Sequence, residues 1–340
     1  MSRKYKVAVV GATGAVGLEM IKMLGSRNFP VESVKFLASQ RSAGKKLKFN
    51  GKDIVVELLT KDSGKGVDIA LYSAGAAISK EFAPSFVADG CFVIDNSSAW
   101  RMEKEIPLIV PEVNPGDLSK DKKLIANPNC STIQMVVVLK PLHDAAKIKR
   151  VIVSTYQSVS GAGQKGINEL INQTKLWAND ENIPAAEKFQ YQIAFNLIPQ
   201  IDTFLENGYT KEEMKMTNET KKIMGDENIE VSATCVRVPV FRSHSENVWI
   251  ETEKPLSAKD AKEILSKADG VEVIDSPENS KYPMPFYAQN QQTTYVGRIR
   301  KDISTKNNAL TFWIVSDNLL KGAALNAVQI AETLIKRNLV

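Results

Sequence analysis

One cysteine in this sequence lies where a thiol can act as a nucleophile. Cys130 follows Pro128 and Asn129 and directly precedes an apolar segment of helical spacing that begins near Ile133. Proline and asparagine are typical of helix starts, so the sequence predicts Cys130 in the first helical turn. The partial positive charge of a helix start favours the thiolate, which is the reactive form of cysteine. Position alone leaves a purely structural cysteine as an equal alternative.

Few other residues are available for sulfur, metal or acid–base chemistry, because the chain has three cysteines and two histidines. Cys91 and Cys235 lie within apolar strand patterns, which indicates strand residues without a chemical role. No pair of cysteines has metal-ligand spacing, and we expect neither a metal site nor a disulfide framework. His244 lies where a strand ends among polar and cationic residues, and it is the better candidate for proton transfer. His143 lies near a helix end, where a solvated or capping side chain is expected.

Two arginines lie near these candidates. Arg101 follows a Ser-Ser-Ala-Trp segment, and Arg237 lies seven residues before His244. A planar guanidinium is suited to binding a carboxylate or phosphate in a bidentate manner. Isolated surface arginines are the alternative, since the sequence does not show that the two side chains converge.

A glycine-rich turn lies between the first predicted strand and the first predicted helix. It reads Gly11-Ala-Thr13-Gly14-Ala15-Val16-Gly17. Glycines permit a tight turn and let backbone N–H groups approach a pyrophosphate at a helix start. The spacing GxxGxxG departs from the usual GxGxxG, and a turn that binds nothing is the alternative. We predict that this loop binds a dinucleotide.

The end of the second predicted strand indicates which dinucleotide. A domain that prefers NAD places an acidic residue there to accept a hydrogen bond from the ribose 2′-hydroxyl. The segment from Ala38 to Lys45 has no acid but carries Ser39, Arg41 and Ser42. Hydroxyls and a guanidinium can bind a 2′-phosphate through charge-assisted hydrogen bonds. The sequence therefore predicts NADP(H), with a solvated basic loop as the alternative.

The elements that must position these residues fall into two halves. Residues 1–127 alternate apolar strand patterns with helical ones, which is typical of βαβ units around a parallel sheet. The predicted strands of this half are Lys6–Val10, Val34–Ala38, Ile54–Leu58, Val67–Tyr72 and Cys91–Asp95, and its predicted helices are Val16–Leu24 and Ser79–Ala88. A Rossmann-type nucleotide-binding domain follows from this pattern.

The second half has a mixed α+β pattern. A predicted helix over Ser131–Leu139 precedes a polar helical region over Lys211–Gly225. Its predicted strands are Arg150–Gln157, Ile229–Val238, Ser245–Thr252, Thr294–Lys301 and Ala309–Ser316. The last segment, Leu319–Lys336, has apolar residues at helical spacing and is predicted to pack on the first domain. The fold class is therefore α/β, with a Rossmann-type domain over residues 1–127 plus 319–340 and a mixed α+β catalytic domain over residues 128–318.

Composition excludes several classes of partner. The net charge of +5 is modest and spread along the chain, without the basic stripe typical of nucleic-acid binders. No apolar segment reaches the roughly 18 residues of a membrane span, and no signal peptide is visible. We therefore expect a cytoplasmic protein that binds small molecules and neither nucleic acid nor membrane.

Through a combination of several motifs, the sequence resembles the bacterial-type aspartate-semialdehyde dehydrogenase family. The resemblance covers nearly the whole chain. It rests on a cysteine box, a glutamine-bearing strand and an arginine–histidine pair, which together are more specific than the glycine loop. The matching segments are GATGAVG, SAG at Ser73–Gly75, NPNCST, YQSVSGAG at Tyr156–Gly163, RVPVFRSH at Arg237–His244 and SDNLLKGAALNAVQIAE at Ser316–Glu332.

The resemblance implies roles for individual residues. It implies Cys130 as nucleophile, Gln157 as the residue that orients the substrate and His244 as acid–base catalyst. Arg237 matches the position that binds the substrate α-carboxylate. The resemblance also implies that Arg101, Asn129 and Lys222 contact the phosphate and that Glu219 recognises the substrate amino group. Cofactor contacts are implied for Ser73, Gly75, Ser160, Gly161 and Asn318, with Asn318 near the nicotinamide carboxamide.

The implied reaction is the NADPH-dependent reductive dephosphorylation of aspartyl phosphate to aspartate semialdehyde. Thiolate attack expels inorganic phosphate and leaves a thioester, which hydride reduces. The implied context is biosynthesis of lysine, diaminopimelate, threonine and methionine, by a homodimer or homotetramer joined through the second domain. Two alternatives remain: a reductase of N-acetyl-glutamyl phosphate, and an NADP-binding sensor without catalysis.

Overall fold

The computed structural model describes residues 3–340, which divide into two compact units. Unit 1 consists of the described residues through Asn129 together with Ala323–Val340, and unit 2 is Cys130–Gly322. The divisions fall a few residues after the predicted ones, at residues 127 and 318. Among the described residues, no helix is both long and apolar enough to cross a membrane.

Unit 1 is built on a seven-stranded sheet. Its strands are β1 (Tyr5–Val10), β2 (Val31–Ala38), β3 (Lys46–Phe49), β4 (Lys52–Leu58), β5 (Ile69–Tyr72), β6 (Phe92–Asp95) and β7 (Leu124–Ala126). They lie in the order β3-β4-β2-β1-β5-β6-β7, and every pair except β3–β4 is parallel. Helices α1 (Ala15–Ser26) and α2 (Ala76–Ala88) connect β1 to β2 and β5 to β6. This confirms the Rossmann-type arrangement.

The central strands of unit 1 are apolar along their length because both faces of a parallel sheet are covered. Val7 to Val10 in β1 are at most 1% exposed, and every residue of β5 and β6 is buried. Cys91 precedes β6 instead of lying within it, although its side chain is buried as predicted for a core residue.

Unit 2 contains a mixed six-stranded sheet. Its strands are β8 (Ile148–Gln157), β9 (Glu230–Arg237), β10 (His244–Thr252), β11 (Val271–Val273), β12 (Thr294–Lys301) and β13 (Ala309–Ser316). Its helices are α3 (Cys130–Ala146), α4 (Gln164–Ala178), α5 (Lys211–Met224), α6 (Ala258–Leu265) and α7 (Pro285–Ala288). The strand order is β11-β12-β13-β10-β8-β9, with β11–β12 and β8–β9 parallel and the other pairs antiparallel. The mixed α+β prediction is confirmed.

One face of this sheet is covered and the other is open. Along β8, Val151 and Val153 are buried, whereas Ile152 is 41% and Tyr156 is 36% exposed. Because successive strand residues point to opposite faces, this alternation assigns the buried residues to the side on which α3 packs. Helix α3 runs past Pro141 to Ala146, further than predicted, because its buried apolar face continues through the last turn.

The C-terminal helix α8 (Leu325–Lys336) belongs to unit 1. It follows a single π-helical turn over Leu320–Ala324. Arg27, the residue that follows α1, donates two hydrogen bonds of 2.7 Å to the Glu332 carboxylate. The buried Asn326 amide donates to the Ile109 carbonyl and to Asn127. These contacts attach the end of the chain to the nucleotide-binding sheet.

Candidate active site

Three neighbouring strands of unit 2 place polar residues in one row on the face that α3 covers. Gln157 ends β8, Arg237 ends β9 and His244 begins β10. Strand β8 lies between the other two, and Gln157 is in register with Arg237. All three side chains are buried. His244 was predicted at a loop rim, but the structure places it inside the sheet with no exposed surface, because β10 begins one residue earlier than predicted.

Cys130 is the first residue of α3, as predicted, and its side chain is partly exposed. Gly322 lies against it: a Cβ at Gly322 would be 2.9 Å from the Cys130 Cβ and 3.2 Å from its Cα. Only glycine permits this approach without a shift of the helix start. Sequence reasoning missed Gly322, because the signal was a single glycine inside an apolar terminal segment.

Arg237, one of the three residues of this row, is held by two contacts. Its Nη1 donates a 2.7 Å hydrogen bond to the Ser158 carbonyl, and its guanidinium lies over the Phe189 ring at 5.9 Å. Burial lowers the pKa of Arg237, while negative charge on Glu212 and Cys130 acts in the opposite direction. A guanidinium remains charged despite such a shift. Arg237 therefore supplies a buried positive charge within electrostatic range of the thiol.

Gly161 packs against both Arg237 and His244. A Cβ at Gly161 would lie 2.9 Å from Arg237 Nη1 and 3.4 Å from His244 Nε2. The resemblance assigned Gly161 to the cofactor. In the structure, the missing side chain lets the backbone of Gly161 approach two buried polar groups of unit 2.

An acid that the sequence analysis missed contacts this row. Gln157 Nε2 donates a 3.1 Å hydrogen bond to Glu212 Oε1, and Lys215 Nζ donates a 3.1 Å hydrogen bond to Glu212 Oε2. Negative charge on Glu212 also acts on both Arg237 and His244. The signal available in the sequence was the pattern Glu212-x-x-Lys215 at the start of a helix.

Glu219 and Lys222, the residues implied by the resemblance, lie further along α5. They repeat the same Glu-x-x-Lys pattern seven residues later. Seven residues are nearly two helical turns, so both pairs lie on one face of α5 about 10 Å apart along its axis. The structure brings Glu212 to Gln157, and Glu219 is buried elsewhere along α5.

The start of α5 is held by its own sequence. Thr210 and Glu213 form a capping box, in which Glu213 N–H donates to the Thr210 hydroxyl and Thr210 N–H donates to the Glu213 carboxylate. The second Glu213 oxygen accepts the Cys235 N–H of β9 at 2.9 Å. These bonds attach the first turn of α5 to the sheet and so position Glu212.

His244 is held by a network of hydroxyl and amide groups. Its Nδ1 accepts from the Ser158 N–H at 3.0 Å and lies 3.0 Å from the Ser158 hydroxyl. Asn318 Oδ1 accepts from the Ser243 N–H at 2.9 Å and from the hydroxyls of Ser158 and Ser160 at 3.2 Å. Two residues assigned to the cofactor, Ser160 and Asn318, thus lie in unit 2 beside His244. Burial and the nearby Arg237 charge lower the pKa of His244 to about 3.

Unit 1 carries the glycine loop. Gly11 has φ +80°, and a Cβ there would lie 2.5 Å from the Ser73 carbonyl oxygen. A Cβ at Gly17 would lie 2.2 Å from the Gly11 carbonyl oxygen. Helix α1 begins at Ala15, followed by Val16, and no side chain caps it at Gly14. Its first backbone N–H groups are therefore available to bind an anion. The glycines form a cradle that any larger side chain would fill. Such a cradle fits a bound pyrophosphate.

The loop after β2 lies next to the glycine loop. The Thr13 hydroxyl donates a 3.2 Å hydrogen bond to the Ser42 hydroxyl. Ser42 is buried, whereas Ser39 and Arg41 are exposed. Gly75, with φ +87°, caps α2 at the end of β5. The structure thus brings the predicted nucleotide residues of unit 1 to the ends of β1, β2 and β5.

Two of the three residues implied to bind phosphate, Arg101 and Asn129, are buried in unit 1. Arg101 donates a 2.9 Å hydrogen bond to the Asn96 carbonyl, and Asn129 is the last residue of unit 1 before Cys130. His143 lies in the last turn of α3, and its Nδ1 accepts a 3.2 Å hydrogen bond from the N–H of Ile148, the first residue of β8. Burial raises the pKa of the Cys235 thiol well above its usual value, which keeps it neutral.

Comparison with known proteins identifies both units. Residues 6–121 match the family model "Semialdehyde dehydrogenase, NAD binding domain", and residues 139–321 match "Semialdehyde dehydrogenase, dimerisation domain". The first unit is therefore a nicotinamide-dinucleotide domain. Aspartate-semialdehyde dehydrogenase of Aquifex aeolicus is 59% identical over 339 residues, which cover 99% of each chain.

Solved structures agree with this. Aspartate semialdehyde dehydrogenase II of Vibrio cholerae, complexed with ASA, superposes with a TM-score of 0.95 at 48% identity and covers 98% of this chain and 99% of its own. The Candida albicans enzyme, solved with NADP, has a TM-score of 0.77 at 27% identity and covers 99% and 100%. The chain belongs to the aspartate-semialdehyde dehydrogenase family.

Proposed function

We propose that the chain catalyses the reductive dephosphorylation of L-4-aspartyl phosphate to L-aspartate 4-semialdehyde, and the phosphate-dependent reverse reaction, in amino-acid biosynthesis. The observation that carries this proposal is Cys130 at the start of α3, within electrostatic range of the buried Arg237. The names of the relatives support the same reaction. A sensor without catalysis is not favoured, because this thiol and the buried row are retained together.

Cys130 is the proposed nucleophile. Its thiolate sulfur attacks the acyl carbon, the bond from that carbon to the phosphate oxygen breaks, and phosphate leaves with the electron pair. The product is a thioester at Cys130. When bound, the nicotinamide supplies a hydride to the acyl carbon. The carbon–sulfur bond then breaks, which releases the aldehyde and regenerates the thiolate.

Recognition of the substrate is assigned to buried charges. Arg237 binds the α-carboxylate through its planar guanidinium. We propose Glu212 for the amino group in place of Glu219, and Lys215 in place of Lys222 for phosphate, because Glu212 accepts a hydrogen bond from Gln157 and is paired with Lys215. Arg101 and Asn129 remain the proposed phosphate ligands from unit 1. Gln157 orients the acyl group, held by Glu212 and by Thr155, whose hydroxyl donates to it at 3.4 Å.

NADP(H) is the proposed cofactor. The cradle at Gly11 and Gly17 fits a pyrophosphate, and Ser39, Arg41 and Ser42 form a 2′-phosphate site without a competing acid. The Candida albicans relative was solved with NADP, which supports this choice. Ser73, Gly75, Ser160, Gly161 and Asn318 are retained as proposed cofactor contacts.

We further propose a cytoplasmic homodimer or homotetramer. The family model of the second unit is a dimerisation domain. The open face of its sheet exposes Ile152 and Tyr156, which supports contact with a second copy.

The reaction is tested by following NADPH formation with aspartate semialdehyde, NADP and inorganic phosphate, beside a Cys130→Ala variant. We expect phosphate-dependent turnover that the variant abolishes. Turnover with the N-acetyl-glutamyl analogue alone would assign the alternative reductase activity. NADPH binding without turnover of either substrate would support the sensor.

A further inference from the structure

The environment of His244 determines which ring nitrogen carries its proton. Nδ1 lies 3.0 Å from the Ser158 backbone nitrogen, whose N–H points at it. A backbone N–H can only donate, so Nδ1 must present its lone pair. A neutral imidazole with Nδ1 as acceptor has its proton on Nε2.

The Ser158 hydroxyl could accept a proton from Nδ1 only if the Ser158 backbone N–H gave up Nδ1 as its acceptor. It lies 3.0 Å from His244 Nδ1, 3.1 Å from the Ser160 hydroxyl and 3.2 Å from Asn318 Oδ1. If Nδ1 were protonated and donated to this hydroxyl, the buried Ser158 N–H would face an N–H group and lose its acceptor. A buried donor without an acceptor costs about 1–3 kcal/mol.

The other ring nitrogen has no protein partner among the described residues. His244 is completely buried, and Nε2 has no hydrogen-bond partner among residues 3–340. The backbone of Gly161 approaches this edge of the ring, since a Cβ there would lie 3.4 Å from both Nε2 and Cε1. A ligand oxygen that reaches Nε2 would therefore meet an N–H that the described residues leave without an acceptor.

We infer that the Ser158 backbone N–H fixes His244 as the neutral Nε2–H tautomer, so that His244 acts on the acyl oxygen as a hydrogen-bond donor and not as an imidazolium acid. Ser158 is thus a positioning residue for the reaction. The identity of the oxygen rests on the proposed function, whereas the tautomer is a property of the protein itself.

The surrounding charges act in the same direction. Arg237 approaches His244 from β9, and Glu212 approaches from α5. Burial and then Arg237 lower the pKa of His244 to about 3, and neither the charge of Glu212 nor a backbone hydrogen bond with Ser243, which both raise it, compensates for them. These surroundings therefore favour the neutral imidazole.

The proposed chemistry does not need a proton from His244. Thiolate attack and thiolate release leave sulfur in the form in which it started. The oxygen that gains negative charge after hydride addition loses it again when the carbon–sulfur bond breaks. The one proton consumed ends on the released phosphate. A fixed N–H donor can stabilise both oxyanions without transferring its proton, as in an oxyanion hole.

The tautomer is measured by long-range ¹H–¹⁵N correlation spectra of the full-length protein labelled with ¹⁵N-histidine. The chain has only two histidines, and a His143→Gln variant assigns the signals of His244. We expect an unprotonated Nδ1 and a protonated Nε2 that do not change between pH 5.5 and 8.5. A protonated Nδ1, or a titration within this range, would overturn the inference. Phosphate-dependent turnover, measured separately, tests the proposed function.

Two sets of variants test the role. Ser158→Ala retains the backbone N–H, so the tautomer should not change; a shift of the proton to Nδ1 would show that the hydroxyl is responsible and refute the assignment. His244→Gln places an amide donor near the position of Nε2, whereas His244→Asn places one near Nδ1. We expect His244→Gln to retain at least about 10-fold higher kcat than His244→Asn, since one donor to an oxyanion is worth about 10²–10³ in rate. Equal inactivity of both would indicate obligatory proton transfer.

Discussion

The two Glu-x-x-Lys segments of α5 allow a matched test of which glutamate binds the substrate amino group. Glu212→Gln and Glu219→Gln remove the same charge from the same face of one helix. Both glutamates are buried, and Glu212 accepts a hydrogen bond from Gln157. Glutamine keeps the size of the side chain, so each variant removes charge with little loss of packing.

The expected loss follows from the contact that Glu212 makes. A charge-assisted hydrogen bond contributes about 1.5–3 kcal/mol, which corresponds to about 10- to 150-fold in kcat/KM. Glu219 lies about 10 Å further along α5, beyond hydrogen-bond reach of a ligand held at Gln157. We therefore expect Glu212→Gln to raise KM for aspartate semialdehyde and Glu219→Gln to change kcat/KM less than about 3-fold.

The assay is phosphate-dependent NADPH formation, with thermal unfolding of each variant as the control for damage to the fold. The Tm values of the two variants should be similar, so that a kinetic difference reports on binding. A 10-fold loss in Glu219→Gln beside a nearly unchanged Glu212→Gln would refute the assignment from the structure and restore the one from sequence resemblance.

Three further predictions address the thiol, the sheet and the cofactor. Gly322→Ala forces a Cβ to within 2.9 Å of the Cys130 Cβ and should lower kcat by about 10²-fold, whereas Gly116→Ala, with no neighbour within 4 Å, should leave kcat unchanged. Burial raises the pKa of Glu246 well above its usual value, so wild-type stability should fall by up to about 1.4 kcal/mol per pH unit as pH rises above about 4.5. Urea unfolding from pH 5 to 8 should show that this slope is reduced in Glu246→Gln; equal slopes would contradict it. Arg41→Ala should raise KM for NADP about 10- to 150-fold without affecting NAD, and an equal effect on both would exclude a 2′-phosphate contact.

Much of the nucleotide-binding unit could be predicted from the sequence because its signals are local. Continuous apolar runs identify strands that are buried on both faces, and a glycine turn between a strand and a helix has one common use. Pro128 and Asn129 likewise predicted Cys130 in the first turn of a helix, and α3 begins at Cys130. In each case the residues that carry the signal are adjacent in the chain.

The row of polar residues in unit 2 could not be predicted from local sequence, because the order of the strands in the sheet brings its residues together. Gln157, Arg237 and His244 become neighbours only when β8 pairs with β9 on one side and β10 on the other. The choice between Glu212 and Glu219 has a related difficulty: a spacing of seven residues conserves the helix face, and the contact of Glu212 with Gln157 depends on how α5 packs against β8.

The same assembly explains why glycines are important in a site described by its charged residues. A buried His244 Nε2 without a partner among the described residues costs the free protein about 1–3 kcal/mol, and the backbone of Gly161 lies close to it. A methyl group at Gly161 would lie 3.4 Å from Nε2 and 2.9 Å from Arg237 Nη1, so one of these groups would have to move. A buried N–H without an acceptor gains its missing hydrogen bond only when an anionic or polarised oxygen binds. We therefore propose that these costly features of unit 2 are the ones that bind the substrate.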